Sequence, residues 1–181
     1  MNNFWNDYPE ITEELNYVNK YMNEVNKSSE QFFNDSFGYL FSSGGKMLRP
    51  AFVLVGSRFS EEKPDEQKKN KIKKLASAVE MLHSATLVHD DIIDESFLRR
   101  GKETIHSKYS KEYAVYMGDY LFSQCFLMLS ETDISRELLN SLAKGIAFVC
   151  KSEMLQNYFR YNYNLTVREY LKIISGKTAA L

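Results

Sequence analysis

The segment His89-Asp90-Asp91-Ile92-Ile93-Asp94-Glu95 places four carboxylates and an imidazole in seven consecutive residues of a 181-residue chain. If it is helical, Asp90 and Asp94 stand at i and i+4, and their carboxylates share one face about a turn apart. Like charges at that spacing cost a few tenths of a kcal/mol, and carboxylates near a helix C-terminus oppose the macrodipole by roughly 0.3–1 kcal/mol each. A shared cation offsets both costs. Hard oxygen donors on one face suit Mg²⁺ holding a substrate phosphate better than they suit zinc. Taken alone, the Asp-x-x-x-Asp pair reads first as a solvated acidic helix end. Its neighbourhood sharpens it: His83 and Thr86 precede Asp90 on nearly the same stripe, and Arg99-Arg100-Gly101 follows shortly after Asp94. A polar stripe on a helix otherwise apolar or small from Leu75 to Ile93 points into a cavity more readily than into solvent. Singly, His83 would be a satisfied core histidine, and Arg99 and Arg100 surface arginines.

A second cluster is Gly44-Gly45-Lys46-Met47-Leu48-Arg49-Pro50. Its glycines let the backbone approach a ligand closely, and Lys46 and Arg49 offer an ammonium and a planar guanidinium to one anion. It is not a Walker P-loop, because the GxxxxGK[ST] frame and a preceding strand are missing. A third cationic point is Lys177, beside Thr178, in Ser175-Gly176-Lys177-Thr178. Together these segments supply an acidic metal site and separate cations, which suits two diphosphates, one held through metal and one held directly. Diphosphate leaves readily once Mg²⁺ neutralises it, and an apolar, aromatic-rich pocket shields a carbocation from water.

The elements that must carry these groups read as helices. Ile11, Leu15, Val18, Met22 and Val25 form one amphipathic stripe. A second helix is predicted over 30–41, ending at Ser42-Ser43-Gly44-Gly45, and a third from Ala51 to Phe59 behind Pro50. Residues 60–70 read as a polar loop leading into the long helix, with Pro64, Asp65 and Glu66 at its start. The Lys68, Lys69, Lys71, Lys73 and Lys74 run reads as a solvated face, not a basic patch. Further helices are predicted over 111–129, 134–159 and from Val167 onward, with no convincing strand alternation. The fold class is therefore all-α, a bundle of long helices.

Composition agrees. Gly 8 and Pro 3 are too few for the turns of an all-β domain of this length. With 23 Lys+Arg against 24 Asp+Glu, the chain lacks the basic excess of a nucleic-acid binder, and 12 Tyr plus 12 Phe argue against disorder. Cys125 and Cys150 sit in apolar helix-like runs and are expected to be buried thiols in a reducing compartment. Neither a signal peptide nor a membrane span is expected, and the cytoplasm is the predicted location.

GGKMLRP, EMLHSATLVHDDIIDESFLRRG, GDYLFS, EMLQ and SGKTAAL occur in that order from Gly44 to Leu181. This series resembles the trans-isoprenyl diphosphate synthase (polyprenyl synthetase) family; the central segment is the specific part. The resemblance implies long helices around a deep central cavity and head-to-tail condensation of isopentenyl diphosphate onto an allylic diphosphate such as geranyl or farnesyl diphosphate. It implies that Asp90 and Asp94, supported by Asp91, bind Mg²⁺, and that Arg99 and Lys177 hold the allylic diphosphate. Thr178 and the Lys177 carbonyl would face the allylic cation, with Gln156 nearby. Lys46, Arg49, His83 and Arg100 would hold isopentenyl diphosphate. A homodimer is implied as well.

In that family, residues before the aspartate motif lie under the growing chain. Small Ala85 and Thr86, with Leu82 one turn deeper, imply a medium or long, heptaprenyl-like product; alternatively Ala85 is a close helix-packing residue. Ala85→Phe is expected to shorten the product, and unchanged product length would overturn the cavity-floor role. Ser152 stands where the family often has Gly. The family also carries a second aspartate-rich motif, which does not occur before Leu181. Residues 1–181 are therefore expected to be the N-terminal part of a single synthase domain, weakly active or inactive in isolation. A non-catalytic diphosphate-binding or regulatory subunit is the alternative; a class I terpene cyclase fits less well, having no need of Lys46, Arg49 and His83.

Overall fold

The structure, a computed structural model, describes residues 3–42, 44–59 and 64–179. Its long elements are helical as predicted, in two compact units, Met1–Asp133 and Ile134–Leu181.

In the first unit, helix α1 (Pro9–Val25) buries Ile11, Leu15, Val18 and Met22, the stripe expected from their spacing. Helix α2 (Gln31–Ser42) follows, then α3 (Leu48–Ser57), which Met47 enters from a left-handed conformation at φ 50°. Pro50 lies in the first turn of α3, where its missing N–H has no helical acceptor to lose. Helix α4 (Glu66–Ile93) is the axis of this unit and packs against α1, α3 and α6. Asp65 caps it by accepting a hydrogen bond from Lys68 N at 2.7 Å. Four consecutive residues, Ala76 to Val79, are buried, so α4 is surrounded at that level. Nearer the C-terminal end of α4, Gly118 of helix α6 (Lys111–Ser130) makes room for the His89 ring, which a Cβ at that position would meet.

The end of α4 decides where the acidic cluster lies. Asp94 is the cap, Glu95 is left-handed at φ 50°, Glu95 N donates to Ile92 O (3.3 Å) and Ser96 N to Asp91 O (2.9 Å). That is the Schellman pattern, with glutamate where glycine is usual. The chain then forms a hairpin that the sequence analysis missed, β1 (Leu98–Arg99) against β2 (Lys102–Glu103). Its two-residue turn, Arg100 at φ 52° and Gly101 at φ 78°, has the positive φ pair of a type I′ turn. A short helix α5 (Ile105–Lys108) leads into α6.

In the second unit, helix α7 (Arg136–Tyr158) is capped by Ser135, and α8 (Val167–Ile174) by a Thr166–Glu169 capping box. A π-type turn, Ser175–Ala179, follows α8. Cys125 is buried as expected, but Cys150 is exposed. It lies one residue, about 100° around the helix, from buried Val149, on a side of α7 that the described residues leave uncovered. No helix among the described residues is long and apolar enough to cross a membrane.

Candidate active site

The hairpin returns toward α2, α3 and α4 and closes one side of a cavity of ≈ 260 Å³. Gly44 and Gly45 line it from the α2–α3 connection, Glu80 and His83 from α4, and Arg99 and Arg100 from the hairpin. Glu80, His83 and Leu87 are spaced three and four apart, one face of α4, and all line this space. The polar stripe expected to face a cavity does so at His83.

Arg49 Nη1 donates to His83 Nε2 at 3.0 Å. A guanidinium only donates, so Nε2 is the accepting nitrogen and the ring proton resides on Nδ1. Burial first, then Arg49, Arg100 and Arg99, lowers the His83 pKa to about 4. The imidazole is thus a neutral hydrogen-bonding group at pH 7.

Arg100 reaches across to the glycine loop: a Cβ on Gly45 would lie 2.8 Å from Arg100 Nη1. The absence of a side chain at 45 is therefore a condition of that guanidinium's position. Lys102 Nζ donates to Ser42 O at 3.2 Å, and Tyr39 OH to Glu103 O at 2.9 Å, so α2 is tied to β2 by two consecutive residues. Lys46 is exposed, and its ammonium lies 5.0 Å from the Phe4 ring centroid. It is not among the residues lining the cavity.

The acidic cluster divides. Asp91 is 7% exposed, and both its carboxylate oxygens accept from Arg99 Nε, at 2.8 and 2.9 Å. Arg99 Nη2 adds a contact at 2.6 Å. The residue expected to support a metal thus spends its oxygens on Arg99, and Arg99, expected on a diphosphate, holds Asp91. Asp90 is half-buried in the last turn and Asp94 is exposed at the cap. No three His, Cys, Asp or Glu among the described residues converge to hold a metal ion. Two carboxylates a turn apart nevertheless fit Mg²⁺, which commonly takes one or two protein carboxylates and completes its shell with water and substrate phosphate.

Leu82 and Ala85 are fully packed and do not line this cavity; Thr86 Oγ1 donates to His83 O at 2.8 Å. In the second unit, Lys177 Nζ donates to Glu153 Oε2 at 3.0 Å, and Gln156 is exposed. The side chain of Thr178, and Leu181 altogether, lie outside the described residues. A Cβ on Gly176 would fall 1.7 Å from Ser152 Oγ, a buried hydroxyl with no partner among the described residues.

Residues 30–181 match the family model for polyprenyl synthetase. The heptaprenyl diphosphate synthase component 2 of Geobacillus stearothermophilus is 36% identical over 174 residues, covering 96% of this chain and 52% of that protein. Among solved structures, a geranylgeranyl pyrophosphate synthase from Lactobacillus brevis aligns with a TM-score of 0.88 at 30% identity, over 97% of this chain and 53% of that one. A heptaprenyl diphosphate synthase from Staphylococcus aureus aligns with a TM-score of 0.87 at 34% identity, over 94% and 52%. The chain spans about half the length of the curated relatives it matches.

Proposed function

The chain belongs to the polyprenyl synthetase family, and on that basis we propose that it carries the isopentenyl diphosphate site and the first metal-binding wall of a trans-polyprenyl diphosphate synthase. The observation that supports this most directly is that His83 and Arg100 line one cavity with the Gly44-Gly45 loop, while Arg49 reaches His83 from behind the lining. These groups offer two guanidinium forks and a neutral imidazole N–H to one diphosphate. Lys46, outside the cavity, draws the anion in from the rim.

Asp90 and Asp94, with Asp91 bracing them through Arg99, would hold Mg²⁺. When bound, the metal neutralises an allylic diphosphate and favours ionisation of its carbon–oxygen bond. Arg99 would hold that diphosphate end; for Lys177, Gln156 and Thr178 the same role rests on the family motif alone. The double bond of isopentenyl diphosphate, held by Arg49, His83 and Arg100, attacks the allylic carbon, and a proton then leaves to the departing diphosphate. Leu87 and Val88 contribute apolar surface near the site. The product length, with Ala85, Thr86 and Leu82 as its determinants, is part of the same proposal.

Calorimetric titration of the 181-residue chain with isopentenyl diphosphate in EDTA tests the direct site. Binding is expected, and Arg49→Ala or Arg100→Ala should weaken it at least about tenfold, the order of a lost charge-assisted hydrogen-bond pair. Equal affinity in both variants would overturn the reading. In Mg²⁺, geranyl or farnesyl diphosphate should bind with a metal dependence that Asp90→Asn and Asp94→Asn reduce.

A further inference from the structure

We propose that Glu80 sets the affinity of the Arg49–His83–Arg100 site, as an internal counter-charge that keeps a bound diphosphate releasable. This rests on reading that cavity as a diphosphate site. Glu80 is one helical turn before His83 on the same face of α4, and both line the cavity with Arg100. Its carboxylate makes no hydrogen bond or ion pair with any described residue. It therefore acts through space rather than by holding another side chain in place.

Glu80 is the part-buried acid of the cavity whose carboxylate no other side chain among the described residues takes up. Facing it, from α3 comes Arg49, from α4 itself the neutral His83, and from the hairpin turn Arg100. Asp91 is taken up by Arg99, and α2 contributes Tyr39, whose hydroxyl donates to the Glu103 backbone. Glu103 also lines the cavity, at the exposed edge of β2. Helix α1 presents only uncharged Asn19 and Met22. Burial raises the Glu80 carboxyl above its ordinary pKa, while Arg49 and Arg100 act in the opposite direction. A diphosphate occupying the cavity offsets the field of those two arginines, and the ionised carboxylate then faces an anion across a partly desolvated space. Release is favoured as Glu80 ionises, and retention as it takes up a proton.

Inorganic pyrophosphate titrated into the 181-residue chain by calorimetry, in EDTA and at constant ionic strength, provides the test. Glu80→Gln should bind it about tenfold more tightly than the wild type at pH 8, an effect of one nearby charge at intermediate effective dielectric. The wild-type to variant Kd ratio should fall toward one as the pH is lowered to 5, because protonated glutamate and glutamine are then equivalent. Taking the ratio cancels the titration of pyrophosphate itself. Glu80→Met, neutral and a good helix former, must give the same result, and it decides the matter if Glu80→Gln loses its helical circular dichroism. A ratio near one at every pH, or weaker binding by the neutral variants, overturns the role of Glu80 while leaving the site intact, provided Arg49→Ala still weakens binding about tenfold or more. Absence of pyrophosphate binding by the wild type overturns the diphosphate reading of the cavity and this inference with it.

Discussion

Arg99 reaches back eight residues to Asp91 and meets both carboxylate oxygens, Nε at 2.8 and 2.9 Å and Nη2 at 2.6 Å from Oδ1. The acid is buried and the base about one-third exposed, so the hairpin is fastened to α4 by a pair that water only partly screens. Arg99→Ala strands a buried carboxylate and is expected to cost about 2 kcal/mol, below the range for fully buried pairs because of that exposure. Arg99→Lys should recover only part, having no fork. Urea unfolding reads both, and wild-type stability in Arg99→Ala would show that the contact does not hold the hairpin.

Gly45 makes room for Arg100, and its φ is not positive, so alanine there meets a guanidinium and not a strained backbone. Gly45→Ala should leave the melting temperature within a few degrees while weakening pyrophosphate binding about fivefold, as Arg100 moves aside. An unchanged dissociation constant would mean that Arg100 acts from elsewhere.

His83 ties stability to acid. Its pKa is about 4 when folded against an ordinary 6.5, so between those values the unfolded chain binds a proton that the folded one refuses. Its contribution is complete above about 6.5 and declines as the pH falls toward 4, by on the order of 3 kcal/mol at most. Thermal melts from pH 7.5 to 4 should show a shallower acid loss in His83→Gln than in the wild type. Parallel curves would contradict a buried neutral imidazole.

Ser152 and Gly176 meet without space to spare. Ser152→Ala removes an orphaned buried hydroxyl and should stabilise the protein by about 1 kcal/mol. Gly176→Ala should destabilise by about 2 kcal/mol, because its Cβ meets Ser152 and also lies 3.0 Å from the Phe148 carbonyl. Adding Ser152→Gly should restore part of that loss, and additivity of the two changes would show that the residues do not compete for volume.

Glu95 occupies a left-handed position at the end of α4. Glu95→Gly should gain up to about 1 kcal/mol, since glycine adopts that conformation at no steric cost. The exposed Lys111–Glu95 contact at 3.4 Å is too weak to reverse the sign. A measured loss in denaturant would place unrecognised interactions on the Glu95 side chain.

What the sequence made legible is periodic. The α1 stripe and the long α4, with its start at Asp65 and Glu66, follow from spacing and residue type. So does the Asp90–Asp94 pair at a helix end. The hairpin was not legible, because two-residue strands leave no alternation to read and Arg-Gly is not the usual type I′ pair. Without the hairpin, Arg99 and Arg100 read as adjacent cations with one shared fate, whereas one binds Asp91 and the other stands against Gly45. Glu80 is not legible in the sequence, because nothing in the spacing of a single glutamate on α4 says that a cavity lies beside it. Cys150 was misplaced because an apolar run marks a helix without saying how much of its circumference is covered.

Four residues join the end of α4 to the hairpin, and they are pinned along their length. Ser96 N binds Asp91 O, Ser96 O receives Thr104 Oγ1 and the His106 ring at 2.8 Å each, and Thr104 N donates to Phe97 O. This connection is a ruler. Its length determines which arginine arrives opposite Asp91 and which opposite Gly45, so adding or deleting a single residue between Asp94 and Arg99 would shift the whole hairpin by one place, put one arginine where the other stood and leave the second without either partner. Point substitutions here can be absorbed one at a time, but changes in length cannot.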